Sequence, residues 1–179
     1  MAETCSADGL PIAFKESPEC NDLQSSPQRI SFDVNRMINT FLGLSECAPS
    51  PSNTGFTAYL ESCLLHIRNL IQFFRDPKSE KITIRDFVRG GRSIDVTLAP
   101  DLASVRDLID QYLAAGNRMR TSDCSLPVDE ILGSAVVGLG DAFKSFVEQL
   151  PAGSVETKCL ENSTRAALGK LKTVEDVKE

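Results

Sequence analysis

An all-α fold is predicted for this 179-residue chain: a four-helix bundle-like single domain over residues 31–151, between mobile tails at 1–30 and 152–179. Three observations predict it. Apolar residues recur every three to four positions in four separate stretches, proline or glycine closes each stretch, and alternating apolar–polar runs are confined to one short segment. At 41% hydrophobic and 25% charged, the chain has the composition of one ordinary domain, long enough to bury a core.

Residues 1–30 carry Pro11, Pro18 and Pro27, scattered Ser and Asn, a net charge of −3 and no sustained apolar period, the pattern of an acidic tail. Ser31 is placed to cap a first helix at about 32–46, whose apolar face is Phe32, Met37, Ile38, Phe41, Leu42 and Leu44; Pro49 and Pro51 end it. After a loop rich in Pro, Ser and Asn, Asn53 or Thr54 can cap a second helix at 56–75. With Phe56 as zero and 100° per residue, Leu60, Cys63, Ile67, Leu70, Ile71 and Phe74 fall within about 60° of one direction. So broad a stripe belongs to a central helix, and Asp76-Pro77 stops it.

Residues 78–99 admit two readings. The run 81–88 alternates like a short strand, yet Thr83 followed by Asp86 also resembles a helix start; the run 93–98 alternates again and would pair with it as a small hairpin. The segment is assigned as a link with one or two helical turns. Pro100 and Asp101 then open a third helix through Leu102, Val105, Leu108, Ile109, Tyr112 and Leu113, with Gly116-Asn117 as its stop. A fourth opens at Pro127, with Asp129 and Glu130 in its first turn, and closes at Leu150-Pro151. Inside it, Gly138-Leu139-Gly140 lacks the third glycine and preceding strand of a dinucleotide loop, so these glycines are expected to permit close helix contact. Beyond residue 151 a short helix at 160–172 and a frayed tail are both open.

Nineteen basic residues against 25 acidic ones give a net charge of −6 and weigh against a dedicated nucleic-acid coat, whose affinity comes from clustered cations. No run approaches the roughly 18 apolar residues of a membrane span, and the N-terminus lacks the basic-then-apolar layout of a signal peptide, so a cytoplasmic protein without a membrane partner is expected. The six cysteines contain no C-x-x-C spacing, and one histidine cannot complete a Cys/His zinc set. Reduced, unlinked thiols, no metal and no cofactor follow.

His66 is the sole histidine and sits on the margin of the second helix's apolar stripe. Arg68 leaves the helix about 160° away, whereas Asn69, three residues on, shares the flank of His66. The functional reading is a His66/Asn69 pair facing an interhelical groove, with an arginine from another helix; the plainer one is a boundary histidine bonded to a neighbouring helix, Arg68 in a surface ion pair, and Asn69 solvated. Cys63, one turn before His66, is read as core: a cysteine hydrolase on one rigid helix lacks an oxyanion donor. Residues 75–92 hold six basic residues against three acidic ones. Arg85, Arg89 and Arg92, with Arg118 and Arg120 of the next loop, are therefore candidate anion- or RNA-binding residues.

The run His66-Ile67-Arg68-Asn69-Leu70 with Phe73-Phe74, then Arg85-Asp86-Phe87-Val88 and a helix led by Ile109 that ends near Arg120-Thr121, resembles a family of mostly helical bacterial proteins. That family carries an H-x-R-N-L-x-x-F-F core, a later D-F motif and an I-N-K-x-x-A-H-L-T segment, and it is HEPN-like in appearance. The resemblance spans residues 56–121 and implies RNA binding or cleavage in a defence or toxin system, with His66, Asn69 and Arg68 as catalytic residues. Ala115 stands where the pattern has its second histidine, and no arginine precedes His66 at the R-x(4–6)-H ribonuclease spacing. Those departures point to a non-catalytic member. The expectation is therefore an intracellular interaction or accessory module with a protein partner or self-association through its helices; the alternative is a HEPN-like RNA-binding or RNA-cleaving protein.

Overall fold

In the computed structural model, which describes residues 26–47, 53–75, 83–87, 94–99, 101–115 and 128–175, the chain begins its first helix six residues before the expected start. Helix α1 spans Ser26–Glu46. Pro27 falls in its first turn, where a missing N–H costs nothing. Ile30 is buried, and Ser31, expected as the cap, is inside the helix with its Oγ donating to the Gln28 carbonyl at 3.1 Å. Residues 26–30 thus leave the expected tail; residues 1–25 lie outside the described residues.

Helix α2 spans Thr54–Arg75 and is capped by Asn53, whose Oδ1 accepts from the backbone N–H groups of Gly55 (3.0 Å) and Phe56 (3.2 Å). A 3-10 turn follows at Ile84–Phe87. Residues 94–99 are extended, with Ile94, Val96 and Leu98 packed on the core and Asp95, Thr97 and Ala99 outward. The alternation is real, but no strand forms among the described residues. The Gln149 side chain instead brackets Asp95, accepting from its N–H at 3.0 Å and donating to its carbonyl at 2.8 Å.

Helices α3 (Leu102–Ala115) and α4 (Val128–Gln149) start within two residues of their expected prolines. The expected C-terminal tail is instead a full helix, α5, over Val155–Glu175. The chain reverses at residues 150–154, where Gly153 takes φ 76°, a left-handed value favouring glycine, and Ser154 Oγ accepts the Thr157 N–H at 3.1 Å as the cap. The inward positions of α5 are Thr157, Leu160, Thr164, Ala167 and Leu171, at helical spacing. Thr164 is buried without an unpaired hydroxyl because its Oγ1 donates to Leu160 O at 2.7 Å. With two threonines and an alanine in the stripe, the sequence shows little apolar period.

The fold is therefore all-helical, with five α-helices among the described residues. Helix α1 packs between α2 and α5, α3 lies against α2, and α4 touches the other four. At the centre Phe73 meets Phe146 edge-on at 5.3 Å, and Phe87, brought in by the 3-10 turn, meets Phe146 at 5.2 Å and Phe73 at 5.9 Å. Each buried ring stabilises by about 1.5–3 kcal/mol, with about 0.5–1.5 more per well-set aromatic pair. Of the α4 glycines, Gly140 has Leu171 Cδ1 only 2.9 Å from where a Cβ would stand, which permits close α4–α5 contact; Gly138 has nothing near it.

The thiol expectation fails at one position. Cys47 and Cys63 are buried thiols outside any disulfide, but Cys159 is disulfide-bonded, its partner lying outside the described residues. Spacing along a chain does not reveal which cysteines meet in space.

Candidate functional site

Helices α1 and α2 run antiparallel. Asp33 stands beside His66 and Asn69, Met37 beside Cys63, and Gly43 beside Tyr59. His66, at the edge of α2's stripe, therefore faces the flank of α1 that carries Asp33, the only acidic residue of that helix before Glu46.

His66 Nδ1 and Asp33 Oδ1 are 2.6 Å apart, and Asn69 Nδ2 donates to the same oxygen at 3.2 Å. The side chains are 9% exposed for His66 and 17% for Asp33. A carboxylate accepts, so Nδ1 carries a proton. Nε2 makes no hydrogen bond among the described residues. The imidazole is set further by Phe32, edge-on at 5.5 Å, and the Arg36 guanidinium lies 5.4 Å from the centre of the Phe32 ring.

Arg68 goes elsewhere. Its Nε lies 2.6 Å from Asp110 Oδ1 of α3, with both side chains more than a third exposed. Asp110 is also approached by Arg106 at 3.8 Å. Exposed pairs of this kind contribute little, about 0–1 kcal/mol. The structure thus brings His66 and Asn69 together and leaves Arg68 on the opposite flank. Among the described residues no arginine joins His66 and Asn69; the third member is a carboxylate. Arg85 belongs to the 3-10 turn, but its side chain, and all of Arg89, Arg92, Arg118 and Arg120, lie outside the described residues.

Cys63 is no nucleophile. Burial pushes its thiol up to about 12 against an ordinary 9.0, a hydrogen bond with Thr40 only partly opposing this, so it stays protonated at neutral pH. Among the described residues no three His, Cys, Asp or Glu side chains cluster as a metal site, and no helix is long and apolar enough to cross a membrane.

Sequence reasoning found His66 and Asn69 but missed Asp33, Phe32 and Arg36. A signal existed: Asp33 is the one carboxylate within the body of the preceding helix, Glu46 standing at its last residue, and a short loop between the two helices forces antiparallel neighbours. Comparisons with family models, with curated proteins and with solved structures each return no match.

Proposed function

We propose that this chain is a non-catalytic helical interaction module, in which Asp33, His66 and Asn69 join α1 to α2 and hold an exposed surface beside them. One observation carries the reading: the polar groups expected to do chemistry are engaged by carboxylates of the same chain, while Phe32 and Leu65, next to them, are each 43% exposed. A buried histidine with a carboxylate on Nδ1 and a ring against its face serves well as a structural pin. Exposed large apolar side chains beside it suit a protein partner.

The test is incubation of the intact chain with single-stranded and structured RNA, alongside the His66→Ala variant. The module reading expects no cleavage by either protein, and a loss of about 2 kcal/mol of stability in the variant as Asp33 loses its main partner. Cleavage by the wild type that disappears in His66→Gln would overturn it. That outcome would favour the second reading, a HEPN-like RNA-binding or RNA-cleaving protein. Its support is the geometry: Asp33 orients the His66 imidazole through Nδ1, and among the described residues nothing hydrogen-bonds Nε2.

A further inference from the structure

The outward face of α1 carries a short cationic stripe around an exposed ring. Arg29, Phe32 and Arg36 project within about 60° of one another, at positions i, i+3 and i+7. Arg29 is exposed, and among the described residues neither arginine makes an ion pair and the Arg36 guanidinium meets only the Phe32 ring. Arg68, Arg106 and Lys144 each meet a carboxylate, whereas among the described residues Arg75, Lys158 and Arg165, like the two α1 arginines, do not. Asp33, the acidic residue within this stripe, is turned toward α2 and occupied by His66 and Asn69.

Phe32 is nearly half exposed, yet His66 on one side and Arg36 on the other restrict its ring. An aromatic fixed before binding loses little rotamer entropy on contact. Leu65, equally exposed, sits at the same level of the antiparallel pair. Phe32 is thus an exposed aromatic with a cation one turn away on either side along α1.

We propose that this stripe docks an acidic amphipathic helix of a partner protein. Carboxylates on that helix meet Arg29 and Arg36, and an apolar side chain packs on Phe32. The proposal rests on the module reading and names its partner. The two cations are seven residues apart, about 10 Å along the axis, which is the spacing of side chains two turns apart on a partner helix. Two cations on a chain of net charge −6 are few for a polyanion, whose affinity grows with each phosphate neutralised and which the overall charge repels. An acidic helix needs only its two carboxylates matched, and its leucines use the exposed ring.

The experiment uses the full chain and a labelled alanine-based peptide of about 15 residues, long enough to span the stripe, with two glutamates seven apart flanking two leucines. A second peptide has lysines in place of the glutamates. Fluorescence anisotropy should show the glutamate peptide binding the wild type and the lysine peptide binding at least about tenfold more weakly. The double variant Arg29→Glu/Arg36→Glu, with unchanged helical circular dichroism, should reverse that preference. Phe32→Ala should weaken both peptides together. If the double reversal does not fold, Arg29→Gln with Arg36→Gln should erase the preference.

Failure of the glutamate peptide to bind, equal binding of both peptides by the wild type, or loss of binding without the charge swap would each overturn the proposal. So would tighter binding of an oligouridylate than of the peptide, or self-association of the chain abolished by the double reversal. RNA cleavage sinks the module reading alone; a failed charge swap sinks the acidic helix and leaves the module reading standing.

Discussion

Helix α1 is held on two sides by two unlike seams. Toward α2 the polar contact is ionisable: Asp33 takes His66 and Asn69 on one carboxylate oxygen. Toward α5 it is neutral: Asn35 Nδ2 donates to Ser31 O and across to Ser163 O, both at 2.8 Å. At one end of that second seam Lys170 reaches Asn39 at 3.1 Å. A neutral amide satisfied by two carbonyls is tolerated in a buried seam at little cost, whereas a carboxylate there depends on its partners. The ionisable seam lies directly beneath the exposed Phe32, so the surface is best defined where the fold depends most on charge.

The largest effects should separate the seams. Asp33→Ala, which leaves the buried imidazole and the Asn69 amide without their acceptor, should cost about 2–3 kcal/mol in urea denaturation. Asn35→Ala should cost about 1–2 kcal/mol and expose α5, but not α2, to limited proteolysis. Equal costs, or α2 released first in Asn35→Ala, would erase the distinction.

Glycines sharpen the contrast at a smaller scale. A Cβ at Gly43 would stand 2.8 Å from the Tyr59 ring on the α1–α2 seam, and one at Gly140 would stand 2.9 Å from Leu171 Cδ1 between α4 and α5. A methyl against a ring forces a shift, whereas the tip of a leucine can rotate. Gly43→Ala should therefore destabilise by about 1 kcal/mol net, and Gly140→Ala should be neutral or stabilising by up to about 1 kcal/mol. Thermal melts of the pair would decide it.

The third effect appears only at high pH. The Cys63 thiol, next to the α1–α2 seam, is held protonated up to about 12 against 9.0 ordinarily. Between those values the unfolded chain has released this proton and the folded chain has not. Stability therefore falls as pH rises, by at most about 1.4 kcal/mol per unit from this group. Cys63→Ala should flatten the slope above pH 9 relative to wild type, and parallel slopes would show that the thiol contributes nothing.

Most helices were legible because their inward residues are large and apolar: the stripe from Leu60 to Phe74 in α2, and Leu132 to Val147 in α4. Helix α5 was not, since Thr157, Thr164 and Ala167 give its inward face little hydrophobic contrast, although Gly153-Ser154 marked its start. The start of α1 was misread because Ser31, a residue type that caps helices, bonds back within one. At the site, the helical period alone paired His66 with Asn69 and set Arg68 apart. Asp33 was invisible to that reasoning, which follows one helix at a time and has no access to the register between two.

The α1–α5 seam also has a place in time. Asp33 and His66 are 33 residues apart in the chain, whereas Asn35 and Ser163 are 128 apart, nearly two doublings of loop length. Closing the longer loop costs about 1 kcal/mol more in chain entropy, so the helical hairpin of α1 and α2 forms ahead of the α5 contact. During synthesis the α5-facing side of α1, with Asn35 and its neighbours, stays uncovered until Ser163, 128 residues further on, has been made. Of the five described helices, the last to be translated is the one that seals the first.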